Sequence, residues 1–129
     1  MDKYVKDWLK KAESDFKVIE HEMSLESDEV VKDAVCFHCQ QAIEKYLKAV
    51  MIIDNIDVPR THSIEYLIQK VSNKHPEFGT LKLKDISMFG VQYRYPDNYY
   101  VPPLKEVIFY VELANSIKKI SQKIIKSSK

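Results

Sequence analysis

Between Asp28 and about Asp54 the chain carries Val30, Val31, Ala34, Val35, Phe37, Ala42, Ile43, Leu47, Ala49, Val50, Met51 and Ile53. On an α-helix of roughly 40 Å, at 1.5 Å per residue, these side chains occupy most of the circumference. A surface helix keeps one wet face, so this segment predicts a central helix packed on several sides. Ser27 is the expected N-cap, with Asp28 and Glu29 in the first turn, where acids suit the helix dipole. A rod of this kind needs amphipathic neighbours, and the rest of the sequence supplies them.

From Asp2 to Met23, Val5, Trp8, Leu9, Ala12, Phe16, Ile19 and Met23 recur at spacings of three and four, which makes one helical stripe. After the loop from Asp54 to Pro59, Thr61 or Ser63 caps a short third helix whose inner face is Ile64, Leu67, Ile68 and Val71. Leu81 to Val91 reads as a fourth helix with a weaker pattern. Pro103 opens the last helix, at a position with no intrahelical N–H bond to lose. Leu104, Val107, Ile108, Val111, Ala114, Ile117, Ile120 and Ile124 mark its stripe. The 129 residues include 2 Gly and 5 Pro, too few for the many turns of a β-sandwich or barrel. The expectation is an all-α, up-and-down bundle of four or five helices, one domain over residues 1–129.

Twenty Lys+Arg against nineteen Asp+Glu leave a net charge of +1, so no global field draws in a polyanion. Nucleic-acid binding would need a local patch, such as the five lysines between Lys118 and Lys129. No run of about 18 apolar residues is present, so no membrane span is expected. Met1-Asp2-Lys3-Tyr4 lacks the apolar core of a signal peptide, and the two cysteines suit a reducing cytoplasm.

Cys36-Phe37-His38-Cys39 falls well inside the long helix, away from the helix N-terminus that activates a thiol, and no second ligand pair follows for zinc. The cysteines read as small buried residues. Gln41, Glu44 and Lys48 stack on one side of the same helix, as a solvated face or as the polar wall of a pocket between helices. His62, beside a helix start, reads as a structural imidazole or as a ligand contact. His21 and His75 look solvated. Tyr93-Arg94-Tyr95-Pro96-Asp97-Asn98-Tyr99-Tyr100 gathers four of the eight tyrosines around one arginine. Arginine forks onto phosphate and tyrosine offers a face to a base; the alternative is a proline-fixed loop packed under the bundle or in a subunit interface. Gly79 and Gly90 stand alone, so no phosphate loop exists, and neither a metal nor a cofactor is expected.

The string Phe37-His38-Cys39-Gln40-Gln41-Ala42-Ile43-Glu44-Lys45-Tyr46-Leu47-Lys48-Ala49 resembles the HEPN domain (higher eukaryotes and prokaryotes nucleotide-binding). So do Trp8, Ala12 and Asp15, then Pro59-Arg60-Thr61-His62-Ser63-Ile64 with Leu67, and Arg94-Tyr95-Pro96. The resemblance implies a homodimeric bundle similar to the helical domain of aminoglycoside nucleotidyltransferases. It also implies a minimal nucleotidyltransferase as partner, in a two-component or toxin–antitoxin pair. By the same resemblance Gln41, Glu44, Lys48, His62, Arg94, Tyr95 and Tyr99 are candidates to line a cleft for a nucleotide such as ATP, or for a substrate.

Many HEPN proteins are metal-independent ribonucleases whose motif is an Arg followed four to six residues later by His. Here no His follows Arg94; Tyr99 or Tyr100 stands in its place, and a phenol with a pKa near 10 is a poor base at neutral pH. The chain is therefore not expected to be an enzyme on its own. The alternatives are a ribonuclease toxin in which His62 substitutes, acting on RNA, and a non-catalytic dimerisation module. Some toxin relatives are silenced by AMP on a tyrosine near that motif, which makes Tyr99 and Tyr100 acceptor candidates.

Overall fold

The computed structural model describes residues 2–128. Four α-helices carry the chain: α1 (Lys3–Met23), α2 (Lys32–Ile53), α3 (Ile64–Ser72) and α4 (Leu104–Ser127). Among the described residues there is no strand, and the helices form the expected up-and-down bundle. The Asp2 carboxylate accepts the Tyr4 N–H at 2.7 Å, which caps α1. α2 packs against α1, α3, α4 and the turn at Ile86–Phe89. Val35, Cys39, Ala42, Ile43, Leu47 and Val50 are all buried, as an apolar circumference demands. Each large aliphatic side chain so buried contributes about 1.5–3 kcal/mol, and that is why the central helix organises the rest.

One expected boundary and one expected element differ. α2 starts at Lys32 rather than Asp28, and its N-cap is Val31, without a side-chain cap bond. Val30 is drawn into the core, and the Val31 N–H is tied back to Glu22 of α1 at 3.0 Å, so residues 27–29 turn instead of coiling. Ser63, not Thr61, caps α3 by accepting the Tyr66 N–H. The segment Leu81 to Val91 is no α-helix. Short 3₁₀ turns at Pro76–Thr80, Ile86–Phe89, Gln92–Arg94 and Pro96–Asn98 carry the chain across the bundle. Lys84 adopts φ 47°, which breaks any helix there, and the following Asp85 N–H donates to the Tyr110 hydroxyl at 3.2 Å. Only Phe78, Ile86 and Phe89 of these turns are buried, so they pin an irregular loop at three points.

Candidate functional site

The polar side of α2 is a built network rather than a solvated face. Glu44 and Lys48 are only 5% and 6% exposed, although charged residues belong in water. The Lys48 ammonium donates to Glu44 Oε2 at 3.0 Å and lies 5.5 Å from the centre of the Trp8 ring on α1. The other oxygen, Oε1, accepts from Gln40 at 3.2 Å and from His62 Nδ1 at 2.9 Å. Gln40 also donates to the His62 carbonyl at 3.1 Å and accepts from Gln41 at 2.8 Å. Because a carboxylate only accepts, the ring of this 61% exposed His62 side chain carries a proton on Nδ1. Gly90 closes over Gln40: a Cβ at Gly90 would stand 2.7 Å from Gln40 Cδ.

A second polar group joins α1 to α2. Asp15, buried in the middle of the α1 stripe, accepts His38 Nδ1 at 2.8 Å and the Lys45 ammonium at 2.6 Å. This holds a proton on the histidine's Nδ1 and fixes its ring.

His38 lines a cleft of about 370 Å³ together with Asp33, Phe37, Tyr93, Arg94 and Tyr99. The Arg94 guanidinium carbon sits over the Phe37 ring, 3.8 Å from its centre, and the guanidinium N–H groups are in no ion pair among the described residues, free to fork onto an anion. Phe89, Tyr93 and Tyr100 pack ring to ring behind it, with centroids 4.9 Å apart for Phe89–Tyr93 and for Tyr93–Tyr100. The Tyr100 hydroxyl donates to Glu106 at 2.6 Å, and that bond pushes its pKa up to about 12. A phenol so held is ionised less at neutral pH than an ordinary tyrosine, so less of it is present as the nucleophilic phenolate. Tyr99, 63% exposed, is not so engaged.

Six of the seven expected residues thus fall in two places. Gln41, Glu44, Lys48 and His62 share the buried network; Arg94 and Tyr99 line the cleft; Tyr95 is exposed outside its lining. Phe37, Gln41, Glu44 and Lys48, spaced four, three and four apart, run down one side of α2 and connect the two. Tyr93, part of the tyrosine-rich segment singled out from sequence, joins the lining; Asp33 and Phe37 as lining, and His38 with Asp15 as a pair, were not expected. One signal was available: Asp15 is the single acid inside the apolar stripe of α1, where only a partnered carboxylate can sit.

Two further expectations are settled. Burial pushes the Cys36 thiol up to about 12 and Cys39 well above its usual value, so both are inert packing residues. His75 is not solvated: its Nε2 donates to the buried Asp54 carboxylate at 2.8 Å.

The family model described as the HEPN domain matches residues 5–129, and the chain belongs to the HEPN domain family. No curated protein matches the chain, and neither does any solved structure. Among the described residues no helix is long and apolar enough to cross a membrane.

Proposed function

We propose that this HEPN bundle binds a nucleotide or nucleotide-bearing substrate in the Arg94 cleft and works beside a separate minimal nucleotidyltransferase. The observation that carries the reading is Arg94 stacked on Phe37 at the mouth of the cleft. The guanidinium offers its edge to phosphate and its outer face to a base, while Tyr99 and Tyr93 supply further ring surface. Asp33 can accept from ribose hydroxyls. In this division of labour the partner supplies the metal-binding carboxylates for group transfer, within a two-component or toxin–antitoxin pair in the cytoplasm. The bundle acts as a homodimer: Val31, Val91, Tyr95 and Val101, all exposed, belong to the segments that border the cleft, and a second copy would cover them. Gln41, Glu44, Lys48 and His62 serve the cleft by holding its floor. Titration calorimetry with ATP and AMP tests the reading. Saturable heat that weakens about tenfold in Arg94→Ala supports it, and no heat at millimolar nucleotide overturns it.

One observation favours a second reading, a metal-independent ribonuclease. The histidine that shares the cleft with Arg94 is His38, held by Asp15; His62 is anchored on Glu44 and does not line the cleft. His38 Nε2 would take the proton from an RNA 2′-hydroxyl as its oxygen attacks phosphorus; the P–O5′ bond breaks, leaving a 2′,3′-cyclic phosphate, and the departing 5′-oxygen takes a proton from water, while Arg94 would stabilise the charge on the phosphoryl oxygens. Incubation with RNA in EDTA decides this. Cleavage lost in His38→Ala and in Arg94→Ala, but kept in His62→Ala, supports it; intact RNA removes it and leaves nucleotide binding untouched.

A further inference from the structure

At the other end of α2, roughly 30 Å from Asp33 at 1.5 Å per residue, lies a larger cavity of about 570 Å³. Its apolar floor is Ile53 from the last turn of α2, with Ile120 and Ile124 one turn apart on α4. Lys119 and Lys123 flank that floor, and among the described residues neither pairs with a carboxylate. The end of α4 does not account for them. Lys126 is the last-turn lysine, and Lys119 and Lys123 stand further in, where the helix dipole has little effect.

The acids in this region carry less negative charge toward the cavity than their number suggests. Asp54, in the wall, is held by His75 at 2.8 Å and approached by the Lys74 ammonium at 3.7 Å, so its charge is compensated. Glu77 is the remaining carboxylate, facing Lys119 and Lys123 with a net positive balance. The volume falls within the range of small-ligand pockets, and an apolar floor with a few convergent charges is their usual make-up.

We infer that this cavity binds an amphipathic organic anion: an unbranched or aromatic apolar body lying on Ile53, Ile120 and Ile124, with one carboxylate or phosphate head held by Lys119 and Lys123. A polyanion such as RNA fits poorly, because it would set charges on the isoleucine floor. The site is independent of the Arg94 cleft and of its function.

Calorimetric titration of the full chain with decanoate, decyl phosphate and decanol tests the inference. Decanoate or decyl phosphate binds with one site per chain, and the tighter of the two identifies the head group. Shortening decanoate to octanoate weakens binding about tenfold, as the loss of two buried methylenes requires. The double variant Lys119→Ala, Lys123→Ala keeps its helix, since alanine is a strong helix former on an exposed face. It loses about tenfold for the anions and nothing for decanol. Three results each overturn the inference: no anion binding at millimolar concentration, decanol binding as tightly as decanoate, or anion affinity unchanged in the double variant. Decanoate affinity that falls about tenfold in Arg94→Ala also overturns it, because the ligand would then sit in the Arg94 cleft.

Discussion

The two polar regions along α2 are built from similar residue types and are in opposite states. Around Glu44 both carboxylate oxygens are used: Oε2 by Lys48, Oε1 by Gln40 and His62, and both charges are buried. Around Arg94 the guanidinium rests on a ring instead of a carboxylate, and Tyr99 stands exposed. Polar groups that satisfy one another hold the fold; groups left with free donors at a cleft are available to a ligand. The difference teaches that α2 divides its labour: the closed network ties the helix to Trp8 of α1 and to the loop at His62, while Asp33, Phe37 and His38 face the open cleft.

The comparison is broken most severely at Glu44. Glu44→Ala leaves the Lys48 ammonium buried without its anion, and unfolding in urea should show a loss of about 3–5 kcal/mol. Replacing both, as Glu44→Met with Lys48→Met, removes the two charges together and should recover most of that loss. If Glu44→Ala unfolds like the wild type, the closed network is not what holds this end of the bundle.

Next in size is Gly90, where the two regions meet. Its backbone conformation is ordinary; what excludes a larger residue is space, since an added Cβ would stand 2.7–2.9 Å from three atoms of the Gln40 side chain. Gly90→Ala should cost about 1–3 kcal/mol by overpacking and disturb the bond between His62 and Glu44. In a double-mutant cycle with Gln40→Ala the two losses should fall short of adding, because the smaller side chain relieves the clash. Full additivity would show that Gly90 and Gln40 act separately. Arg94→Ala sharpens the other half of the comparison. Stability should fall by no more than about 0.5–1 kcal/mol, the worth of one exposed cation–π contact, while nucleotide affinity falls about tenfold.

How much of this could be read in advance follows from periodicity. The stripes of α1, α2, α3 and α4 repeat over several turns, and apolar spacing places such elements well. The crossing from Leu81 to Val91 misled because Leu81, Leu83, Ile86 and Phe89 are spaced loosely enough to resemble a helix. Their order is set by long-range partners instead, such as the Tyr110 hydroxyl that accepts the Asp85 N–H. In the site, Gln41, Glu44 and Lys48 were legible as one line because helix geometry stacks them. That they are buried was not, since burial depends on Trp8 and the loop at His62, both distant in sequence. His38 was hidden for the same reason: its role needs Asp15 on one side and Arg94 on the other, twenty-three and fifty-six residues away.

The smallest expected effect separates Tyr100 from Tyr99. The hydrogen bond from the Tyr100 hydroxyl to Glu106 raises its pKa from the usual 10 to about 12, because ionising the phenol would set a second negative charge against the carboxylate. The neutral phenol is therefore favoured in the folded chain. Its contribution to stability is fully present below pH 10 and is lost as pH rises through about 12. An alkaline absorbance titration of wild type minus Tyr100→Phe should show one phenol ionising near the upper value, and a step near 10 instead would show that the bond to Glu106 does not hold in solution. The contrast extends to chemistry: after incubation with a nucleotidyltransferase partner and ATP, mass spectrometry should find any added AMP on Tyr99 rather than Tyr100. A modified Tyr100 would mean that the loop opens its bond to Glu106 in the complex, and the line drawn between closed and available groups would then have to move.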